Sequence, residues 1–156
     1  PGVIRFRTFS KAHGLAGLRV GYALAAPEVA SAFDKLRNHF GVGRVAQAGA
    51  LGALRAEDWL ADVVARVAAG RARLAEIAAA NGLEAVDSAA NFVAIDCGRD
   101  GAFAKRVLEE VVARDVFIRM PGAPPLDRCI RVSVGTEADL DLFAEILPGA
   151  LRAARG

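Results

Sequence analysis

Arg7-Thr8-Phe9-Ser10-Lys11-Ala12-His13-Gly14-Leu15-Ala16-Gly17-Leu18-Arg19-Val20-Gly21-Tyr22 is the most informative segment of the chain. Val3 to Phe6, just before and into it, reads as the end of a strand, and the apolar run Arg19 to Ala25 as a second strand. The Gly-punctuated segment from Ser10 to Gly17 is then the loop between them. A lysine on such a loop, beside a hydroxyl residue and followed by glycines and an arginine, has the parts that hold an aldehyde bearing a phosphate. Lys11 supplies an amine whose characteristic covalent chemistry is an imine to a carbonyl, once burial or a neighbouring cation leaves it partly deprotonated. Ser10 can donate a hydroxyl hydrogen bond to phosphate, and Arg19 can grip the dianion with two parallel donors. Gly14 and Gly17 let the backbone come close. A solvated loop lysine without chemistry fits the same spacing. Gly14, Gly17 and Gly21 do not form the dinucleotide fingerprint, and no Gly-Lys-Ser/Thr phosphate loop occurs, so those two phosphate sites are excluded.

Beyond the loop, Pro27 suits the first turn of a helix running to about His39, with Val29, Phe33 and Leu36 on one face. Gly41 and Gly43 end it. Arg44 to Ala80 has a helical period with a break near Ala56 to Asp58, where Glu57 and Asp58 can start a new helix against the positive end of its dipole. Asn81-Gly82 is a helix stop. Glu84 to Asp87, Asn91 to Cys97, Val116 to Met120 and Cys129 to Val134 read as strands, with helices over Asp100 to Arg114 and Glu137 to Ala154. Thr136, followed by Glu137 and Asp139, is an N-cap signal. The second half therefore reads as a compact domain, whereas Val20 to Ala25 is an apolar strand that needs neighbours on both sides, as buried parallel strands do.

The 156 residues favour one domain, or one domain plus part of another, and the first residue is Pro1 while the only methionine is Met120. A start inside a larger protein is the expectation. The chain is 54% hydrophobic and 24% charged, and its apolar excess is largely its 34 alanines, interrupted by Arg, Glu and Asp. No run of about 18 apolar residues exists, so a membrane span is not expected. A net charge of +2 gives no electrostatic case for nucleic acid. Seventeen of the twenty basic residues are arginine, which makes Lys11, Lys35 and Lys105 conspicuous. Cys97 and Cys129 lack a second Cys or a His at metal spacing; they read as buried free thiols in a reducing compartment, with no metal site.

The run from Arg7 to Tyr22 resembles the cofactor-lysine segment of the class I/II pyridoxal-phosphate aminotransferases, in particular the branch containing histidinol-phosphate aminotransferase. A second likeness lies in Cys129-Ile130-Arg131-Val132-Ser133-Val134-Gly135-Thr136, which is similar to the family's small-domain strand. Asn91-Phe92 and Val116-Phe117-Ile118-Arg119 are similar in placement. The resemblance implies an α/β fold of fold type I. Residues 1–55 would close the cofactor-binding large domain, 56–80 would form a long connecting helix, and 81–156 would be an α+β small domain. It also implies that Lys11 carries the internal aldimine with pyridoxal 5'-phosphate and that Ser10 and Arg19 bind the cofactor phosphate. Arg131 would pair with the substrate α-carboxylate, and Arg119 could approach a carboxylate or phosphate.

The implied activity is transfer of an amino group between an amino acid, or histidinol phosphate, and a 2-oxo acid, by a cytoplasmic homodimer. In the family an Asp at the pyridine nitrogen and a ring-stacking aromatic precede the segment at Pro1, so this chain alone is expected to be inactive. A related lyase of the threonine-phosphate decarboxylase kind, and a non-catalytic interaction module that kept the loop as scaffold, stay open as alternatives. Simpler roles also fit these residues. Arg131 and Arg119 can be solvated strand residues, His13 a loop packing residue, Tyr22 a core residue with a satisfied hydroxyl, Asn38 and His39 a helix end, and Trp59 a packing anchor.

Overall fold

The computed structural model describes residues 2–156. These form two compact units, the first extending to Val64 and the second from Ala65 to Gly156. In the first unit β1 (Arg5–Thr8) pairs antiparallel with β2 (Gly21–Leu24), Arg7 opposite Tyr22 and Thr8 opposite Gly21. Gly21 is required there, because a Cβ would lie 2.6 Å from the Arg7 carbonyl oxygen. The expected second strand is thus shorter and its partner runs antiparallel. Every residue of β1 is exposed, and Tyr22 is 39% exposed instead of forming core, its ring meeting that of Phe9 at 5.7 Å between centroids.

Pro27 opens α1 (Pro27–Ala32), which tightens into a 3-10 turn over Phe33–Lys35. The helix expected to reach His39 stops there, and Phe40 takes a positive φ of 56° while Gly41 N–H donates to the Asn38 carbonyl. α2 (Arg44–Arg55) follows, then α3 (Glu57–Ala80), broken apart at Ala56 where the acidic pair Glu57 and Asp58 begins the new first turn. Trp59, near that start, is 45% exposed and anchors no core.

The second unit holds the well-packed core. Its sheet has the order β3 (Glu84–Ala85), β4 (Phe92–Asp96), β5 (Cys129–Ser133), all antiparallel. Alternation along β4 and β5 sends Val93, Ile95, Ile130 and Val132 inward. They join Leu74 and Ile77 of α3, Phe103, Val107 and Val111 of α4 (Gly101–Val112), and Leu140, Phe143, Leu147 and Leu151 of α5 (Glu137–Arg155). Spacings of three and four along α4 and α5 explain why one face of each is buried. α3 ends as expected, Gly82 adopting φ +69° and Leu83 N–H reaching back to the Ala78 carbonyl at 2.9 Å.

Thr136 caps α5 in a reciprocal box. Its N–H donates to the Asp139 carboxylate at 2.8 Å and its Oγ1 accepts from Asp139 N–H at 3.3 Å. The hydrogen bonds from the Thr136 hydroxyl and N–H hold the Asp139 carboxyl below its ordinary range. Val116 to Met120 is not a full strand; it meets the sheet only at a single bridge between Arg119 and Arg131. Cys97 and Cys129 are both buried and free, and burial pushes the Cys97 thiol up to about 11. Among the described residues no helix is long and apolar enough to cross a membrane.

Candidate functional site

The lysine loop is shaped by backbone bonds to one buried residue. Phe9, 2% exposed, donates its N–H to the Val20 carbonyl at 3.3 Å and accepts at its own carbonyl from Leu15 N–H at 2.9 Å. The first bond draws the loop ends together, leaving Ser10 and Arg19 as the next residues in on either side. Within the loop, Gly14 N–H donates to the Lys11 carbonyl at 2.9 Å, with Gly14 at φ +69°, a turn that glycine makes without strain. Lys11 is therefore exposed on a tight turn, and among the described residues its ammonium has no carboxylate partner. The His13 ring packs 5.0 Å from Phe9, and its Nδ1 is buried without a hydrogen-bond partner among the described residues.

Two further features could hold a phosphate. Ser10 N–H donates to Thr8 Oγ1 at 3.0 Å while that hydroxyl donates to Ser10 Oγ at 2.9 Å, which leaves the Ser10 hydroxyl hydrogen free to point elsewhere. Thr8 is a polar partner that the sequence reading missed; the signal for it was a hydroxyl residue two positions before another, the pattern of a side-chain turn. Arg19 follows a 3-10 turn at Ala16–Leu18 and sits in the left-handed region at φ 52°, ψ 48°. One guanidinium nitrogen donates to the Ala16 carbonyl at 2.7 Å, and among the described residues the remaining donors meet no carboxylate. A free amine, a free hydroxyl and an uncommitted guanidinium make a donor set suited to an aldehyde that carries a phosphate.

In the second unit Arg131 lies on β5 opposite Ala94 of β4, and on its other side it exchanges backbone hydrogen bonds with Arg119, at 3.1 and 2.6 Å. Both are paired across the strands at one level, where like charges repel. Among the described residues neither has an acidic partner. Instead the Arg131 guanidinium stands 4.8 Å from the Phe92 ring centroid, and that of Arg119 stands 5.6 Å from Phe117. Two neighbouring cations without a counterion can bind an anion such as a carboxylate or phosphate. Ser10, Lys11 and Arg19 thus share one loop of the first unit, and Arg119 and Arg131 share one bridge of the second.

These features have counterparts in known proteins. The model of the family "Aminotransferase class I and II" matches residues 1–147. Histidinol-phosphate aminotransferase 1 of Cupriavidus pinatubonensis is 38% identical over 152 residues, covering 97% of this chain and 40% of that protein. An aromatic amino acid aminotransferase of Rhodococcus jostii is 42% identical over 144 residues, covering 92% and 38%. Among solved structures, histidinol-phosphate aminotransferase from Sinorhizobium meliloti, in complex with pyridoxal-5'-phosphate, superposes with a TM-score of 0.91 at 49% identity, over 96% of this chain and 41% of that one. The chain spans about 40% of the length of the curated relatives it matches. The fold is the α/β fold of type I that the lysine-loop resemblance implied, and since the family model runs through both the lysine loop and the arginine bridge, the chain belongs to the class I and II aminotransferases.

Proposed function

We propose that this chain is the lysine-bearing part of a pyridoxal-phosphate aminotransferase that moves an amino group between an amino acid, or histidinol phosphate, and a 2-oxo acid. The observation that carries the reading is Lys11, held out on a tight turn without an ion pair among the described residues, with Ser10 and Arg19 at the closed ends of the same loop. Ser10 and Arg19 hold the cofactor phosphate with charge-assisted hydrogen bonds. When bound, pyridoxal phosphate supplies an aldehyde for amines and a ring that takes up electrons from the substrate carbon. Lys11 Nζ would anchor the cofactor, and as a free amine it would serve as the base for the proton on the substrate's α-carbon. Arg131 pairs with the substrate carboxylate, and Arg119 adds a second cation for a carboxylate or phosphate.

In this reading residues 1–55 belong to the cofactor-binding domain, 56–80 to a connecting helix and 81–156 to a smaller domain. The enzyme is a cytoplasmic homodimer, a reading supported by the family resemblance and, for the compartment, by two cysteines kept as free thiols. The test uses the enzyme of full family length that includes this chain. Adding pyridoxal phosphate is expected to give a visible absorbance band, and borohydride reduction to leave the cofactor mass on the Lys11 peptide. Absence of the band, or a band unchanged by Lys11→Ala, overturns the reading.

A further inference from the structure

Phe92 is placed where it can control Arg131. β4 and β5 pair with Phe92 opposite Ser133 and Ala94 opposite Arg131, so Phe92 and Arg131 are diagonal neighbours on one face of the sheet. The residue directly across from Arg131 is only alanine, which leaves the arginine stem room to lean along the strand. It does so, bringing the guanidinium carbon to 4.8 Å from the Phe92 ring centroid. Phe92 is half-buried, held at the start of β4, while the opposite face of the strand carries the core residues Val93 and Ile95. The like-charged Arg119 sits on the other side of Arg131 and pushes the guanidinium away. Without an acidic side chain to hold it among the described residues, the Arg131 head has the ring as its fixed contact.

We propose that Phe92 is a positioning residue whose ring holds the Arg131 guanidinium by a cation–π contact and so sets the affinity for the substrate's anionic group. The inference rests on the reading of Arg131 as the carboxylate-binding residue. An arginine stem has several freely rotating bonds, and ordering it on binding costs side-chain entropy. A ring that already holds the head removes part of that cost before substrate arrives. The contact sets the guanidinium against an aromatic surface that leaves its charge unneutralised, whereas a carboxylate in Phe92's place would neutralise the charge and close the site. Cation–π contacts of this exposure correspond to roughly a threefold to tenfold change in affinity.

The test has two parts. In the 156-residue chain, the nitrogen–proton NMR signal of the Arg131 Nε–H is expected upfield of the arginines that face no ring, through the Phe92 ring current; Arg99 and Arg106 by Phe103 and Arg119 by Phe117 are not references for that shift. Phe92→Tyr should keep that shift and Phe92→Leu should abolish it; an unshifted Arg131 signal in the unsubstituted chain overturns the proposal without any variant. In the enzyme of full family length, with 2-oxoglutarate as acceptor, Phe92→Leu is expected to raise KM threefold to tenfold with kcat within about twofold. Phe92→Tyr should restore KM. An unchanged KM in Phe92→Leu, or an equal loss in Phe92→Tyr, overturns the proposal. Arg131→Ala separates the two levels: if it leaves KM unchanged, the carboxylate role of Arg131 fails; if it raises KM while Phe92→Leu does not, only the positioning role fails.

Discussion

Arg19 carries two demands that conflict. Its backbone lies in the left-handed region, where an L residue with a side chain pays about 1–2 kcal/mol that glycine does not. Its side chain returns one hydrogen bond to the Ala16 carbonyl, but that bond is exposed and restores on the order of 0.5–1 kcal/mol. A residue kept at a strained position despite so small a local return is better explained by what its remaining donors bind than by stability. Arg19→Gly is therefore expected to leave the thermal midpoint unchanged or slightly raised while weakening pyridoxal-phosphate binding at least tenfold. Parallel melting and cofactor titrations check this, and a variant that loses stability but keeps cofactor affinity would refute it. Nothing in the sequence announces this conformation, because glycine is the residue that usually marks it, and here Gly17 stands nearby in its place. Ser10 and Lys11 stand out in the sequence through the resemblance of their segment to the family's cofactor-lysine run, since by spacing alone a solvated loop lysine fits as well.

Helix boundaries were legible wherever a side chain satisfies the helix end locally. Glu57 and Asp58 mark the start of α3, and Thr136 with Asp139 builds the reciprocal cap of α5, all within a few residues of chain. Strands depend on partners far away in sequence. Val116 and Ile118 alternate as a strand should, yet the segment gains only one bridge, at Arg119. The Phe92 contact was hidden for the same reason, since it exists only in the register of β4 against β5. Gly70 in α3 shows how such a distant partner sets the choice of residue. Alanine there would improve helix propensity by about 1 kcal/mol, but its Cβ would run into the Val134 side chain, and Leu140 lies close behind. Overpacking costs about 1–3 kcal/mol, and a β-branched valine has few ways to turn aside. Gly70→Ala is expected to destabilise the chain by about 1 kcal/mol in chemical denaturation, and adding Val134→Ala should recover part of that loss. A stabilised single variant would show that propensity wins.

Burial is distributed very unevenly over the whole molecule. In the first unit Phe9 and Ala46 are the buried hydrophobic residues among those described, while Phe6, Leu24, Leu36 and Val45 are all more than half exposed. The second unit encloses Phe103, Phe143, Leu74, Ile95, Ile130 and Leu147 almost completely. At roughly 1.5–3 kcal/mol for each large apolar side chain fully buried, the second unit has most of the driving force for folding. A two-stranded ribbon such as β1–β2 is marginal in water without a packed face. Hydrogen exchange on the 156-residue chain is therefore expected to be slowest in β4, β5, α4 and α5, where opening requires loss of the shared core, and orders of magnitude faster in β1 and β2. The family relatives are longer by more than twofold, since this chain spans about 40% of them. If the additional chain covers the exposed strands in the enzyme of full family length, amides of β1 and β2 should become protected there while those of β4 and β5 change little. The lysine loop hangs on the hydrogen bonds of Phe9 at the end of this ribbon, so its order would rise with that of the strands. Equal protection of β1 and β2 in the chain and in the longer enzyme would show that the ribbon and its loop are stable without further partners.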